Sequence, residues 1–167
     1  EAGLRGAGPA PEKAPPTWRL IRAQNGGGIL VNWGCYDLDY VLGITGWKLK
    51  PKTVLAQTWG VPKRYVPNVA PGSDAETYFA AHILCEDNIA LVFERGEYLP
   101  VQEDSAWQIV GEDGSLSLHM TPKPGKKIVH CEADTKQGVV THVLFEGDES
   151  GAHISRCLLE DFATAIR

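Results

Sequence analysis

From Leu30 to Leu42 the apolar residues recur at helical spacing; beyond Thr53 the period drops to two. At about 100° per residue, Leu30, Gly34, Leu38, Val41 and Leu42 share one arc of a helix, with Cys35 at its border beside Leu42. Asn32, Tyr36 and Asp39 fall on the opposite arc, so the helix has an apolar face and a chemical one. Gly43 is placed to stop it. The segments 53–59, 77–85, 88–96, 106–111, 115–120, 126–133 and 138–147 alternate as strands do, and turn-forming runs such as CEDN, GEDGS, PKPGK and DTKQG separate most of them. Connections that short pair neighbours antiparallel. Residues 60–74, with three prolines, form a longer loop of the length that functional loops have. Ile154, Leu158, Leu159, Phe162 and Ile166 form a second helical stripe at the C-terminal end. The pattern predicts an α+β fold: an open, mostly antiparallel sheet of six or seven strands with helices on one face. Many short strands followed by a helix also suit a small ligand-binding barrel.

Residues 1–17 are rich in Gly, Ala and Pro and read as a linker or interdomain segment, which leaves 18–167 as one domain. A chain of 167 residues is long enough to bury a core. The net charge of −5, with Lys and Arg scattered, excludes a phosphate-tracking surface and hence a nucleic-acid partner. No apolar run reaches the roughly 18 residues of a membrane span, and no signal-peptide pattern is present, so the expected location is cytoplasmic. Cys35, Cys85, Cys131 and Cys157 are widely spaced, with neither a C-x-x-C pair nor the spacing of a structural zinc site. They read as free thiols in a reducing compartment, and Cys35 as a buried, inert one. No metal site is expected. The histidines lie mostly on strands, where a solvated or hydrogen-bonded imidazole is the default.

The order Trp18-Arg19, a triple glycine at 26–28, then N-x-G-x-Y-x-x-D opening a helix and a large sheet after it, resembles the C-terminal domain of the glucose–fructose oxidoreductase/inositol dehydrogenase (Gfo/Idh/MocA) family. "DAE" at 74–76, "ALVFERGEY" at 90–98, "WQIVGEDGSLSL" at 107–118 and the closing helix extend the likeness over nearly the whole chain. The resemblance implies a dihydrodipicolinate-reductase-like sheet domain, the substrate-binding and oligomerisation half of an NAD(P)-dependent oxidoreductase of sugars, inositols or related polyols. The family's other half is a Rossmann domain. This sequence has no G-x-G-x-x-G following a strand, and no Glu-Lys-Pro motif, since alanine follows Glu12-Lys13. The chain alone is therefore expected to bind no cofactor, with NAD or NADP entering in a complete enzyme.

The same resemblance assigns the chemical face. The family commonly has Asp, then His four residues later; here Asn32 and Tyr36 stand at those places, and Asp39 matches the acid that follows. Tyr36 is then the proton-transfer residue, with Asn32, Asp39 and Arg19 as substrate contacts. A tyrosine with pKa near 10 is a poor base at neutral pH without a cation beside it, and no sequence neighbour supplies one. From residue type alone, Tyr36 is equally an interfacial aromatic, Asn32 a helix cap, and Asp39 a surface acid or a structural acceptor. Arg64 and Tyr65 in the long loop are weaker candidates. Glycines at 26–28 would let backbone approach a ligand or second domain closely. Expected partners are a second copy through the sheet face (dimer or tetramer), a Rossmann domain, and a small sugar or polyol. The competing reading is a non-catalytic sheet module that scaffolds or binds carbohydrate.

Overall fold

The computed structural model describes residues 2–5, 17–99, 104–121, 123–149 and 151–166, of which 2–5, 104–106 and 151–154 are described by backbone alone. The chain divides into two units, Glu1–Ala106 and Trp107–Arg167. The first begins with β1 (Ala2–Arg5), a turn of 3-10 helix at Thr17–Leu20 and the single-turn helix α1 (Arg22–Asn25). A π-helical turn, Leu30–Gly34, runs directly into α2 (Cys35–Ile44). Three antiparallel strands follow: β2 (Pro51–Trp59), β3 (Tyr78–Cys85) and β4 (Ala90–Gly96). β1 lies parallel to β4, so part of the segment read as a linker is a strand. Its four residues carry too little apolar pattern to be legible. Among the described residues β2 pairs with β3 alone.

The second unit is a meander. β5 (Asp104–Val110) crosses into it and pairs with β6 (Gly114–Leu118); β7 (Lys126–Asp134) and β8 (Gly138–Gly147) follow, all antiparallel, before α3 (Gly151–Ala165). All seven strands expected between residues 53 and 147 are present, and the class is α+β. Short turns left antiparallel pairing as the only short route. On α3, Leu158, Leu159 and Phe162 are exposed, as is Ile166 just beyond its end.

Helix and sheet meet in the first unit at Ile29, Phe79 and Phe93, with Leu38, Ala81 and Leu91 packed around them. The register places Ala81 opposite Phe93 and Phe79 opposite Arg95, so these side chains share one face of the sheet. The two phenylalanine rings meet edge to face, 4.7 Å apart. At Gly34 a Cβ would sit 3.3 Å from the Phe93 ring and 3.4 Å from the Phe79 ring, so the missing side chain lets the helix come close to both. The inward arc is thus partly corrected. Gly34 and Leu38 pack inward as expected, but Leu30 is exposed and Cys35 is exposed rather than buried. The π turn admits one extra residue before Cys35, which rotates the frame on which the spacing was counted.

What faces the sheet one turn beyond Gly34 is Asp37, 3 % exposed, against Arg95, 6 % exposed. Arg95 Nη1 donates to both carboxylate oxygens at 2.6 Å. Burial pushes the Asp37 carboxyl above its ordinary range even against the pull of Arg95. Desolvation therefore consumes what attraction supplies, and the pair fixes the seating of α2 more than it adds stability.

A second lock holds the glycine run. Gly28 N–H donates to Glu76 Oε1 at 2.8 Å, and Ile29 N–H to the Glu76 carbonyl at 2.9 Å. A Cβ at Gly28 would overlap that carbonyl oxygen. The close approach that Gly28 permits is to Glu76 of the same chain.

Two outcomes follow for urea unfolding. Asp37→Leu or Arg95→Met alone should cost about 3–5 kcal/mol, because each strands a buried charge. Asp37→Leu combined with Arg95→Met should recover most of it, giving a large coupling term in the double-mutant cycle; additive losses would show that the two do not act as a pair. Gly28→Ala should abolish cooperative folding or cost upwards of about 3 kcal/mol, whereas Gly43→Ala, with open space around it, should change stability by less than about 1 kcal/mol.

Candidate functional site

The π turn carries Asn32 and Trp33 and ends one residue before Cys35, whose N–H reaches back to the Leu30 carbonyl. Such turns recur at functional sites because the widened ring re-aims the side chains it bears. Asn32 caps nothing: its side-chain oxygen accepts from Asn25 Nδ2 at 3.0 Å. The same amide nitrogen of Asn25 donates to the carbonyls of Arg19 at 3.1 Å and Gly27 at 2.7 Å. Asn25 thereby ties the Arg19 backbone to Asn32. The Nδ2 of Asn32 is buried and has no partner among the described residues.

Tyr36 is 58 % exposed, and its ring meets Trp33 edge on at 6.0 Å. Trp33 in turn lies under the Arg95 guanidinium, 5.1 Å from Cζ to the ring centroid. Asp39 is exposed and joins none of these contacts among the described residues. Arg19 directs its guanidinium to Glu97 Oε1 at 2.8 Å. Of the four residues singled out from the sequence, Asn32 and Arg19 are therefore connected, Tyr36 stands beside Trp33, and Asp39 is separate.

Four further residues belong to this neighbourhood: Asp37, Arg95, Glu97 and Tyr98. Burial raises the Glu97 carboxyl above its usual range, opposed by Arg19 and then Arg95. Tyr98 is fully buried in a left-handed backbone conformation (φ 60°), and its hydroxyl has no partner among the described residues. Burial, with the Glu97 charge adding to it, pushes its phenol up to about 12. The sequence held one signal for this group. "FERGEY" places Glu94, Arg95 and Glu97 at the end of an apolar strand, and charges there are rare unless paired. The strand satisfies them: Arg95 through Asp37, Glu97 through Arg19, and Glu94 by accepting from the Tyr78 hydroxyl.

Cys35 Sγ donates to the Val31 carbonyl, Arg64 is exposed, and Tyr65 packs edge to face on Tyr98. His130 and His142 stack across β7 and β8, with His142 against Glu132 at 3.1 Å. No group of three or more metal-ligating side chains occurs among the described residues. Among those residues no helix is long and apolar enough to cross a membrane. The Glu76 carboxylate, also 3.3 Å from Arg22 Nη2, takes the Gly28 N–H.

Solved structures share this architecture. A levoglucosan dehydrogenase in complex with NADH and levoglucosan is 14 % identical, with a TM-score of 0.68 over 98 % of this chain and 48 % of that one. UDP-N-acetylglucosamine 3-dehydrogenase from Acidithiobacillus ferrooxidans is 15 % identical, with a TM-score of 0.64 over 99 % and 44 %. Aldose-aldose oxidoreductase from Caulobacter crescentus, complexed with glycerol, is 19 % identical, with a TM-score of 0.61 over 96 % and 44 %. At these identities the likeness is one of fold, and the chain spans less than half the length of each. No curated protein matches the chain by sequence. A family model, however, covers residues 2–117, from β1 through the glycine lock, the π turn and the charged end of β4 to β6. By that match over more than two thirds of its length, the chain belongs to the GFO/IDH/MocA C-terminal domain family.

Proposed function

We propose that this chain is the substrate-side half of an NAD(P)-dependent oxidoreductase of a sugar, inositol or related polyol. The observation that carries the reading is the placement of Tyr36. The buried Asp37–Arg95 pair seats α2 so that the next residue back projects its phenol into solvent. It stands one turn beyond Asn32, whose amide nitrogen has no partner among the described residues. That arrangement pairs a proton-transfer group with a hydroxyl-binding amide, the two elements that alcohol oxidation or carbonyl reduction asks of the substrate side. Arg19, fixed by Glu97, and Asp39 complete the proposed substrate contacts. The dinucleotide belongs to the Rossmann half.

The reading also includes self-association. The face of the first sheet turned away from Phe79 and Phe93 carries Leu55, 77 % exposed, with exposed Trp59 and Leu84. An apolar face of this kind, closed by a two-fold copy of itself, would form the homo-oligomer.

In an intact two-domain form, Tyr36→Phe should lower kcat by about 100-fold or more with KM little changed, because one hydroxyl is removed and the ring kept; unchanged turnover would overturn the assignment. Light scattering at micromolar concentration should give a dimer or tetramer, and Leu55→Lys should shift it toward monomer. A wild-type monomer would count against the sheet-face reading.

A further inference from the structure

Trp33 has no role in the reading above, yet its position is tightly specified. It sits in the π turn between Asn32 and Gly34, the residue whose missing side chain lets the helix touch Phe79 and Phe93. The Arg95 guanidinium lies over its ring at 5.1 Å and comes from the buried side, where Asp37 holds it. The indole is nevertheless 40 % exposed, on a ring of which the guanidinium covers one face. Tyr36 stands at its edge, 6.0 Å between ring centroids and inclined by 62°. The result is a flat aromatic plate, backed by a cation that is itself clamped, with a phenol beside it.

A plate of this kind costs little to keep in place. Trp has two side-chain torsions, and Arg95 restrains the ring before any ligand arrives. An exposed indole is otherwise a liability for solubility. Its geometry suits one chemistry well. A cyclic sugar presents several C–H groups on one rigid face, which can lie flat on the indole, while its hydroxyls project at the rim toward polar groups. An open-chain polyol has no rigid apolar face and must surrender several torsions to imitate one.

We propose that Trp33 is the stacking platform for the ring of a cyclic sugar substrate, with Asp37 and Arg95 as its brace. The proposal rests on the substrate-side reading of α2 and narrows it by setting aside open-chain polyols. Trp33 contacts the substrate by stacking; Arg95 and Asp37 act through Trp33 as positioning residues.

The test reads binding without turnover. The chain has five tryptophans, so 15N labelling gives a small set of indole N–H resonances, and Trp33→Phe identifies the one that belongs to Trp33. Methyl β-D-glucopyranoside and methyl β-D-galactopyranoside are titrated in parallel with sorbitol. The pyranosides should move the Trp33 resonance in a saturable way and sorbitol should move it weakly. Trp33→Leu should weaken pyranoside binding about three- to tenfold, the size of one lost aromatic contact. Trp33→Phe should retain most of the binding. Equal responses to pyranosides and sorbitol, no pyranoside response at all, or binding that survives Trp33→Leu unchanged would each overturn the proposal. So would a Trp33 shift produced by nicotinamide mononucleotide and not by the pyranosides. Loss of turnover in Tyr36→Phe alongside unaltered pyranoside binding in Trp33→Leu would overturn the platform and leave the proton-transfer assignment standing.

Discussion

The seating of α2 on the first sheet depends on one buried contact between opposite charges. Asp37 and Arg95 meet at 2.6 Å with almost no access to water, in a layer otherwise made of Ile29, Phe79 and Phe93. Apolar residues there would hold the helix as firmly, because burial has already raised the Asp37 carboxyl and so offsets much of the attraction. What apolar residues would lack is direction. A hydrophobic contact tolerates a rotation of the helix by a fraction of a turn, whereas a guanidinium bonded to both oxygens of one carboxylate does not. The rotation of α2 decides where Asn32, Trp33 and Tyr36 point, so the pair sets the site without belonging to it.

The same arginine serves two layers. Its guanidinium meets Asp37 and also covers the Trp33 ring, and its charge reaches Glu97, which holds Arg19. A run of opposite charges thus passes from α2 through β4 to the turn before α1. Beneath it lies Tyr98, buried and in a backbone conformation unfavourable for a large side chain. Strain of that kind persists where surrounding contacts over-determine it, as they do at the end of β4, where Glu97 and Tyr98 are enclosed by Arg19 and Tyr65. The glycine lock at Glu76 fixes the other end of the same segment, so the π turn is anchored before it begins and again after it closes.

Much of this fold was legible from residue order. The alternation in 53–59, 77–85 and 138–147 and the turn residues between strands specify an antiparallel meander whatever surrounds it, because those signals are local. The family likeness was legible for the same reason: the triple glycine and N-x-G-x-Y-x-x-D are short and contiguous. Less visible was β1, four residues without an apolar pattern, whose strand conformation depends on β4 as a template.

Asn32, Tyr36 and Arg19 could be singled out from sequence, but their relation to one another could not. Counting at a uniform helical step put Cys35 at the border of the buried face and left Asp37 unremarked. The π turn shifts that step, and a widened turn is a tertiary choice made where Gly34 meets the phenylalanine rings. Likewise, nothing near Asp37 in the chain announces Arg95, 58 residues on, and nothing near Arg19 announces Glu97. Periodicity and turn chemistry act between neighbours, so the sequence by itself determined the strands from 53 to 147, the two longer helices and the family. Burial and charge pairing act between residues far apart in the chain, so only the tertiary structure decided which face of α2 is sealed and which aromatic plate stands open beside Tyr36.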